Sequence, residues 1–303
     1  MKILFTGCSG FVGKAVIDEA IKKYSHKSIC ALSSCPIEGI ETVIHNGYEF
    51  PESVFIDKGL FDIDTIIHIG AYTPKDQNGA NDIKKCNSNI RNTEKLLSVE
   101  LPNLKSIIFL SAIDVYATAN VVSETTPECP ISLYGSSKLY CEKMISIFAE
   151  RKKIRHQILR IGHVFGPGEE KYKKIIPVAI LRLLENNIIE LFGDGQSIRT
   201  FIYINDVVKA ILNATELQQS EGVINICGDA QITIECLART LIEIHGNKNA
   251  KIKYLPATVV NRNLVFDNTK LKEKLLNEFT PLVDGLHEEY VFMKEKFENE
   301  HFF

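Results

Sequence analysis

In the stretch PISLYGSSKLYCEKMISIFAE (130–150), Tyr134 and Lys138 stand four residues apart. On a helix that spacing puts a phenol and an ammonium side by side on one face. A phenol ionises near pH 10 and is a poor base at neutral pH. A neighbouring ammonium favours the phenolate, so the pair is suited to moving a proton on and off a hydroxyl. Tyr290 and Lys294 share the spacing, but they sit in HEEYVFMKEK, a charged terminal segment that reads as a solvated helix face.

A second chemical signal lies in TGCSGFVG (6–13), behind an apolar run and at the mouth of a helical pattern. Gly7 permits a tight turn, Gly10 allows backbone to approach a ligand, and Gly13 lets the helix pack on a sheet. Unpaired N–H groups at the helix start favour a pyrophosphate, so Gly7, Ser9, Gly10, Phe11, Val12 and Gly13 are expected dinucleotide contacts. In NAD sites the second strand ends in a carboxylate that takes the ribose hydroxyls. Here CALSSCP puts Ser33 and Ser34 at that place. Serine hydroxyls can donate to a 2′-phosphate that a carboxylate would repel, which favours NADP(H), with NAD(H) as the alternative.

These side chains need a scaffold, and the hydrophobic pattern describes one. Nearly continuous apolar runs at 2–6, 28–32, 42–45, 64–70, 105–111 and 156–161 read as strands covered on both faces. Helical patterns at 11–23, 83–99 and 135–150 lie between several of them. The alternation predicts an α/β fold, a Rossmann-type, doubly wound parallel sheet with right-handed crossovers. After residue 162 come a Gly/Pro-rich loop, HVFGPGEEKY, a helix at about 175–186 and the turn FGDGQS. GVINICG (222–228) reads as one more core strand, so the smaller C-terminal lobe is interleaved with the first. The expected division is 1–162 with 201–230 for the dinucleotide, and 163–200 with 231–303 for a substrate.

The chain has 303 residues, 45% hydrophobic and 24% charged, enough for a large core with a smaller lobe. A net charge of −3 leaves no basic surplus for nucleic acid. No apolar run nears the roughly 20 residues of a membrane span, and the short apolar start does not read as a signal peptide. The eight cysteines and eight histidines show no metal-ligand spacing. Small buried thiols in a reducing cytoplasm, with no metal, are the expectation.

T-G-x-x-G-x-x-G resembles the short-chain dehydrogenase/reductase superfamily, in the extended branch that modifies nucleotide sugars. IIHIGAYTPK (66–75) is similar to that branch's H-x-A-A strand, with Gly70 in place of the first alanine, and NIRNT (89–93) to its N-V-x-G-T helix. Only Tyr134 lies in the branch's P-x-x-x-Y-x-x-S-K surroundings. The resemblance implies cofactor contacts at Gly70, Ala71, Asn89, Tyr134 and Lys138, with Lys138 on the nicotinamide ribose. LRIGHVFGPG (159–168) resembles the L-R-x-x-N-V-Y-G-P-G stretch, with His163 where asparagine is common. LFGDGQSIRTFIYINDVVKAI (191–211) is close to F-G-D-G-x-Q-x-R-D-F-V-Y-V-D-D-V. Arg199 is then expected to clamp a substrate pyrophosphate, with Thr73, His163 and Arg262 as further substrate contacts.

One departure bears on the reaction. The branch carries Ser or Thr four residues before the tyrosine of V-Y-G, but FLSAIDVYA has Ala112 there, with Ser111 beside it. Ser111 replaces it as a catalytic hydroxyl only if the strand has already turned at Ala112. Sugar dehydratases of the branch read Thr-Asp-Glu from this place; Ala112-Ile113-Asp114 lacks the proton-donating acid, which disfavours dehydration. Two enzymatic readings follow: reduction of a 4-keto nucleotide sugar, and 4-epimerisation with retained NAD. A non-catalytic NADP-binding sensor is the third. Apolar surplus on helices 83–99 and 135–150, such as Met144, Ile145, Ile147 and Phe148, predicts a homodimer paired through a four-helix bundle.

Overall fold

Strands covered on both faces should be buried at every position, and the central ones are. In the computed structural model, which describes residues 1–76, 78–256 and 263–300, β1 (Ile3–Thr6), β2 (Ile29–Ser33), β4 (Thr65–His68) and β5 (Ser106–Ala112) are buried throughout. With β3 (Glu41–Ile44), β7 (Arg155–Ile161) and β11 (Val223–Ile226) they form a parallel sheet in the order β3-β2-β1-β4-β5-β7-β11. A short β6 (Val121–Val122) falls outside it. The strand order reverses between β1 and β4, and ligand crevices open beyond the carboxyl ends of strands at such a switch point.

Helices α1 (Phe11–Lys23), α3 (Ile83–Leu97), α4 (Leu133–Lys152) and α6 (Ile204–Asn213) cover the sheet, α1 packing with α6 and α3 with α4; α2 (Val54–Asp57) is a single turn. Each long helix buries one stripe; on α3 it is Cys86, Asn89, Thr93 and Leu96. The Ser132 hydroxyl caps α4 by accepting from Gly135 N at 3.1 Å, which fixes the turn that carries Tyr134. The C-terminal part adds β8 (His163–Phe165), α5 (Ile175–Asn186), β9 (Ile188–Phe192), β10 (Ile198–Tyr203), β12 (Gln231–Thr233), α7 (Ile234–His245), β13 (Lys251–Leu255), β14 (Val265–Phe266), α8 (Thr269–Lys274) and α9 (Leu282–Glu300). Its core is continuous with that of the sheet: one apolar cluster runs from Ile3, Phe5 and Val16 through Ile180 and Leu183 to Leu237 and Leu286.

Two expectations need correction. Cys8, Cys30, Cys86, Cys141 and Cys227 are buried, but Cys35, Cys129 and Cys236 are exposed, so not all the thiols are core residues. Ile145 is also core, and α3 turns Lys84, Asn87, Arg91 and Glu94 outward. Outward apolar residues remain at Ile83 on α3 and at Tyr140 and Ile147 on α4, where Met144 and Phe148 are half-buried. Among the described residues no helix is long and apolar enough to cross a membrane.

Candidate active site

The three glycines behind β1 form a cradle, and two of them, Gly7 and Gly13, admit no side chain. Gly7 has φ +73°, and a Cβ there would lie 2.5 Å from the Cα and N of Gly70. A Cβ on Gly13 would stand 2.0 Å from the Gly7 carbonyl oxygen. Gly10 is the N-cap of α1 and supplies no side-chain cap, so the first-turn N–H groups are left for a ligand. Gly7, Ser9, Gly10, Phe11, Val12 and Gly13 all line a cleft of about 810 Å³ at the carboxyl ends of the strands. The donor set and the close backbone approach fit a dinucleotide pyrophosphate.

At the other side of the cradle the sequence reading is partly corrected. Ser33 and Ser34 both line the cleft, and the Ser33 hydroxyl also accepts from Cys35 N at 3.4 Å within its own turn. Ser34 is exposed. Gly70 and Ala71 line the cleft as expected, and Gly70 has a reason to lack a side chain. A Cβ on it would meet the Tyr48 hydroxyl at 2.3 Å and Thr6 Oγ1 at 3.0 Å. Asn89 is not a cleft residue. It is buried, accepts from Tyr72 N at 2.7 Å and donates to the Ser137 hydroxyl at 3.2 Å, so it braces the loop after β4. Asn92, His45 and Tyr48 line the cleft instead. The turn signal Asn46-Gly47 followed by aromatics was the available clue to the last two.

Tyr134 and Lys138 open onto the same cleft from the first turns of α4, but the phenol is not activated by the lysine. The Lys138 Nζ donates to the Leu110 carbonyl at 2.6 Å and sits 4.7 Å from the Phe109 ring centroid. Burial pushes the lysine down to about 8. The Tyr134 phenol is raised above its ordinary value, by burial first and by the Asp114 carboxylate second; a hydrogen bond with Thr73 pulls the other way. The expected lowering of the tyrosine by its neighbour is therefore absent, because the ammonium is engaged with strand backbone. Asp114 lines the cleft and is itself raised by burial.

Ser111 lines the same cleft as Tyr134 and Lys138. β5 stays extended through Ala112 (φ −139°, ψ 152°), so neighbouring side chains face opposite ways. The residue packed with Tyr134 and Cys86 is Ala112, while the Ser111 hydroxyl is buried with no hydrogen-bond partner. The strand position packed on Tyr134 is thus filled by Ala112, which carries no hydroxyl. Ala112→Ser should therefore raise kcat severalfold, part of the about 2–4 kcal/mol that a preorganised donor is worth, and Ser111→Ala should be nearly silent. A crippled Ser111→Ala with an unchanged Ala112→Ser would overturn this account of the strand end.

Beyond His163 the cleft meets a second hollow of about 600 Å³, which shares His163, Val164 and Lys174 with it. Lys173, Arg182 and Arg199 line this hollow, with Glu169 and Glu190 as its acids. Lys174 is bound to Glu169 at 2.7 Å; Lys173, Arg182 and the half-buried Arg199, whose Nη1 donates to the Ile198 carbonyl at 2.9 Å, are the other cations of the hollow. The His163 Nδ1 is buried without a partner, and burial, then Lys174 and Arg199, hold the imidazole down at about 4. A neutral ring at the junction can exchange one hydrogen bond with a ligand. Thr73 lies in the first cleft beside Tyr134, not with Arg199. Arg262 lies outside the described residues. Among the described residues no cluster could hold a metal ion.

A doubly wound sheet, a glycine cradle at the start of α1 and a Tyr-Lys pair in one cleft define a Rossmann-type, NAD-binding oxidoreductase. The chain belongs to the NAD dependent epimerase/dehydratase family, whose model matches residues 3–227. It is 28% identical over 269 residues to the dTDP-D-glucose 4,6-dehydratase of Dictyostelium discoideum, covering 80% of this chain and 62% of that protein. To the dTDP-4-dehydro-6-deoxyglucose reductase of Escherichia coli it is 28% identical over 275 residues, 86% of this chain and 87% of the other. The solved UDP-glucuronic acid 4-epimerase of Bacillus cereus, in complex with UDP-glucuronic acid and NAD, superposes with a TM-score of 0.83 at 26% identity. That match covers 98% of this chain and all of the other.

Proposed function

We propose that the chain reduces the 4-keto group of a nucleotide-activated sugar, with NADP(H) as the favoured dinucleotide and NAD(H) as the alternative. The observation that carries the reductive reading is the placement of the Tyr134 phenol in the cleft, while Ile113 stands where a dehydratase needs its acid. Reduction of a carbonyl needs a proton donor at its oxygen, and burial with Asp114 alongside raises the phenol above its ordinary value, which favours the donor form. When bound, the reduced nicotinamide supplies the hydride. Lys138 is the residue to grip the nicotinamide ribose, Thr73 orients the phenol, and Ile113 offers no acid for expelling a hydroxyl. The segments 1–162 with 201–230 hold the dinucleotide. The segments 163–200 with 231–303 hold the sugar nucleotide, its pyrophosphate on Arg199 with Lys173 and Arg182 and one hydrogen bond from His163.

A 4-epimerase with retained NAD is the second reading, supported by the likeness to the Bacillus cereus enzyme along the chain. Incubation with a panel of UDP- and dTDP-4-keto sugars, followed by nicotinamide absorbance and product mass, separates the two. Oxidation of one reduced nicotinamide per product supports the reductase. Interconversion of 4-epimers with no net oxidation replaces it by the epimerase, and inertness toward the whole panel sinks both. Tyr140 and Ile147 on α4 support a two-fold pairing through that helix, though less than a four-helix bundle would need. Light scattering should give a dimer mass at micromolar concentration; a monomer removes the pairing.

A further inference from the structure

The end of β3 presents a side chain to the cleft that the glycine motif and the serine pair did not point to. His45 follows Ile44, which is in register with Ser33, and His45 N donates to the Ser33 carbonyl at 3.0 Å. It stands beside Ser34, at the place where a dinucleotide fold reads the adenosine ribose 2′ position. The ring is built in. Tyr48 N donates to His45 Nδ1 at 3.1 Å, the Tyr48 ring lies 4.5 Å away by centroids, and Phe50 lies beyond at 6.5 Å. The turn that makes this contact holds Tyr48 at φ +64°, a left-handed conformation that a bulky residue adopts at a cost.

That geometry fixes the chemistry. With Nδ1 accepting from backbone, the proton of a neutral imidazole must sit on Nε2, so the other nitrogen is a donor. Among the described residues lining the cleft, the acidic one is Asp114, which acts on Tyr134. The ribose end therefore combines an N–H donor from His45 and a hydroxyl from exposed Ser34, and it lacks the carboxylate that would select an unmodified ribose. We infer that His45, with Ser34, receives a 2′-phosphate and is the residue that sets a preference for NADP(H). The inference rests on the reading of the cleft as a dinucleotide site.

Binding measured without turnover tests it. Titrations of NADPH, NADH, 2′,5′-ADP and ADP against the full chain should show each 2′-phosphorylated member bound at least about tenfold more tightly than its partner. His45→Asn keeps an acceptor for Tyr48 N and removes the Nε2 donor. It should bring NADPH and NADH to within about threefold of each other, with NADH affinity hardly changed. His45→Gln keeps a donor near Nε2 and loses the acceptor, so it should retain most of the preference while lowering thermal stability. A structural role for His45 would weaken both dinucleotides alike. Equal binding of both dinucleotides by the native chain, or an unchanged ratio in His45→Asn, overturns the inference and leaves the dinucleotide site standing. Binding of neither dinucleotide overturns the site itself.

Discussion

Tyr134→Phe lowers kcat by about 10²–10⁴-fold and leaves dinucleotide and nucleotide-sugar affinities within about threefold of native. The substitution removes one hydroxyl, the donor to the reacting oxygen, and keeps the ring that packs on Ala112 and Cys86. Lys138 is untouched, because its ammonium is held by the Leu110 carbonyl rather than by the phenol. kcat and kcat/KM should therefore fall together with KM steady, the signature of an interaction made in the transition state. The loss should approach the upper end of the range, because Ala112 provides no second donor to the same oxygen. A Phe variant turning over near the native rate would mean that the proton comes from elsewhere in the cleft, with Asp114 the nearest acid, and the proposed role of Tyr134 would fall.

Sequence reading succeeds here wherever a physical period controls structure. Strands buried on both faces are mostly apolar, so β1, β4 and β5 stand out without knowledge of their partners. Helix α1 at Phe11–Lys23 and helix α5 at Ile175–Asn186 fall on the expected residues because glycine punctuation and a 3.6-residue stripe bound them. The glycine cradle was equally legible, since each glycine answers to a contact within a few residues or to a neighbouring strand. What the sequence hides is the partner of a polar atom. The lysine four residues from Tyr134 has the right spacing to lower its pKa, yet a carbonyl on β5 claims it. Asn89 matches a cofactor motif, and two backbone groups of Tyr72 engage it. Gly70 looks like a departure until Tyr48, twenty-two residues earlier, is seen to fill the space. Each case depends on a contact between chain segments that no local pattern encodes.

The second large effect should come from a buried charge that supports α4. Glu142→Ala should destabilise the chain by about 3–5 kcal/mol, enough to lower Tm by on the order of 5–10 °C. Arg160 on β7 is almost fully buried, and its Nε and Nη2 donate to the two Glu142 oxygens at 3.0 and 2.6 Å. Nη2 also reaches Glu128 at 2.5 Å, and the guanidinium stacks 4.6 Å from the Tyr116 ring centroid. Tyr116 in turn donates to Asn225 Oδ1 at 2.7 Å, so one cluster ties α4, β7, β11 and the turn after β5. Removing Glu142 leaves a guanidinium out of water with Glu128 as its remaining carboxylate, and the penalty is that of a half-paired buried charge rather than of a lost contact. Lys143→Ala, which breaks only the half-exposed Lys143–Glu128 pair at 3.0 Å, should change stability by less than about 1 kcal/mol. Replacing both members, as Arg160→Met with Glu142→Leu, should restore much of the loss because no charge is then stranded. Denaturant unfolding of the three variants decides the matter. A Glu142→Ala chain within about 1 kcal/mol of native would show that Glu128 and water suffice for Arg160, and that packing of the α4 stripe on the sheet, not this pair, holds the catalytic turn in place.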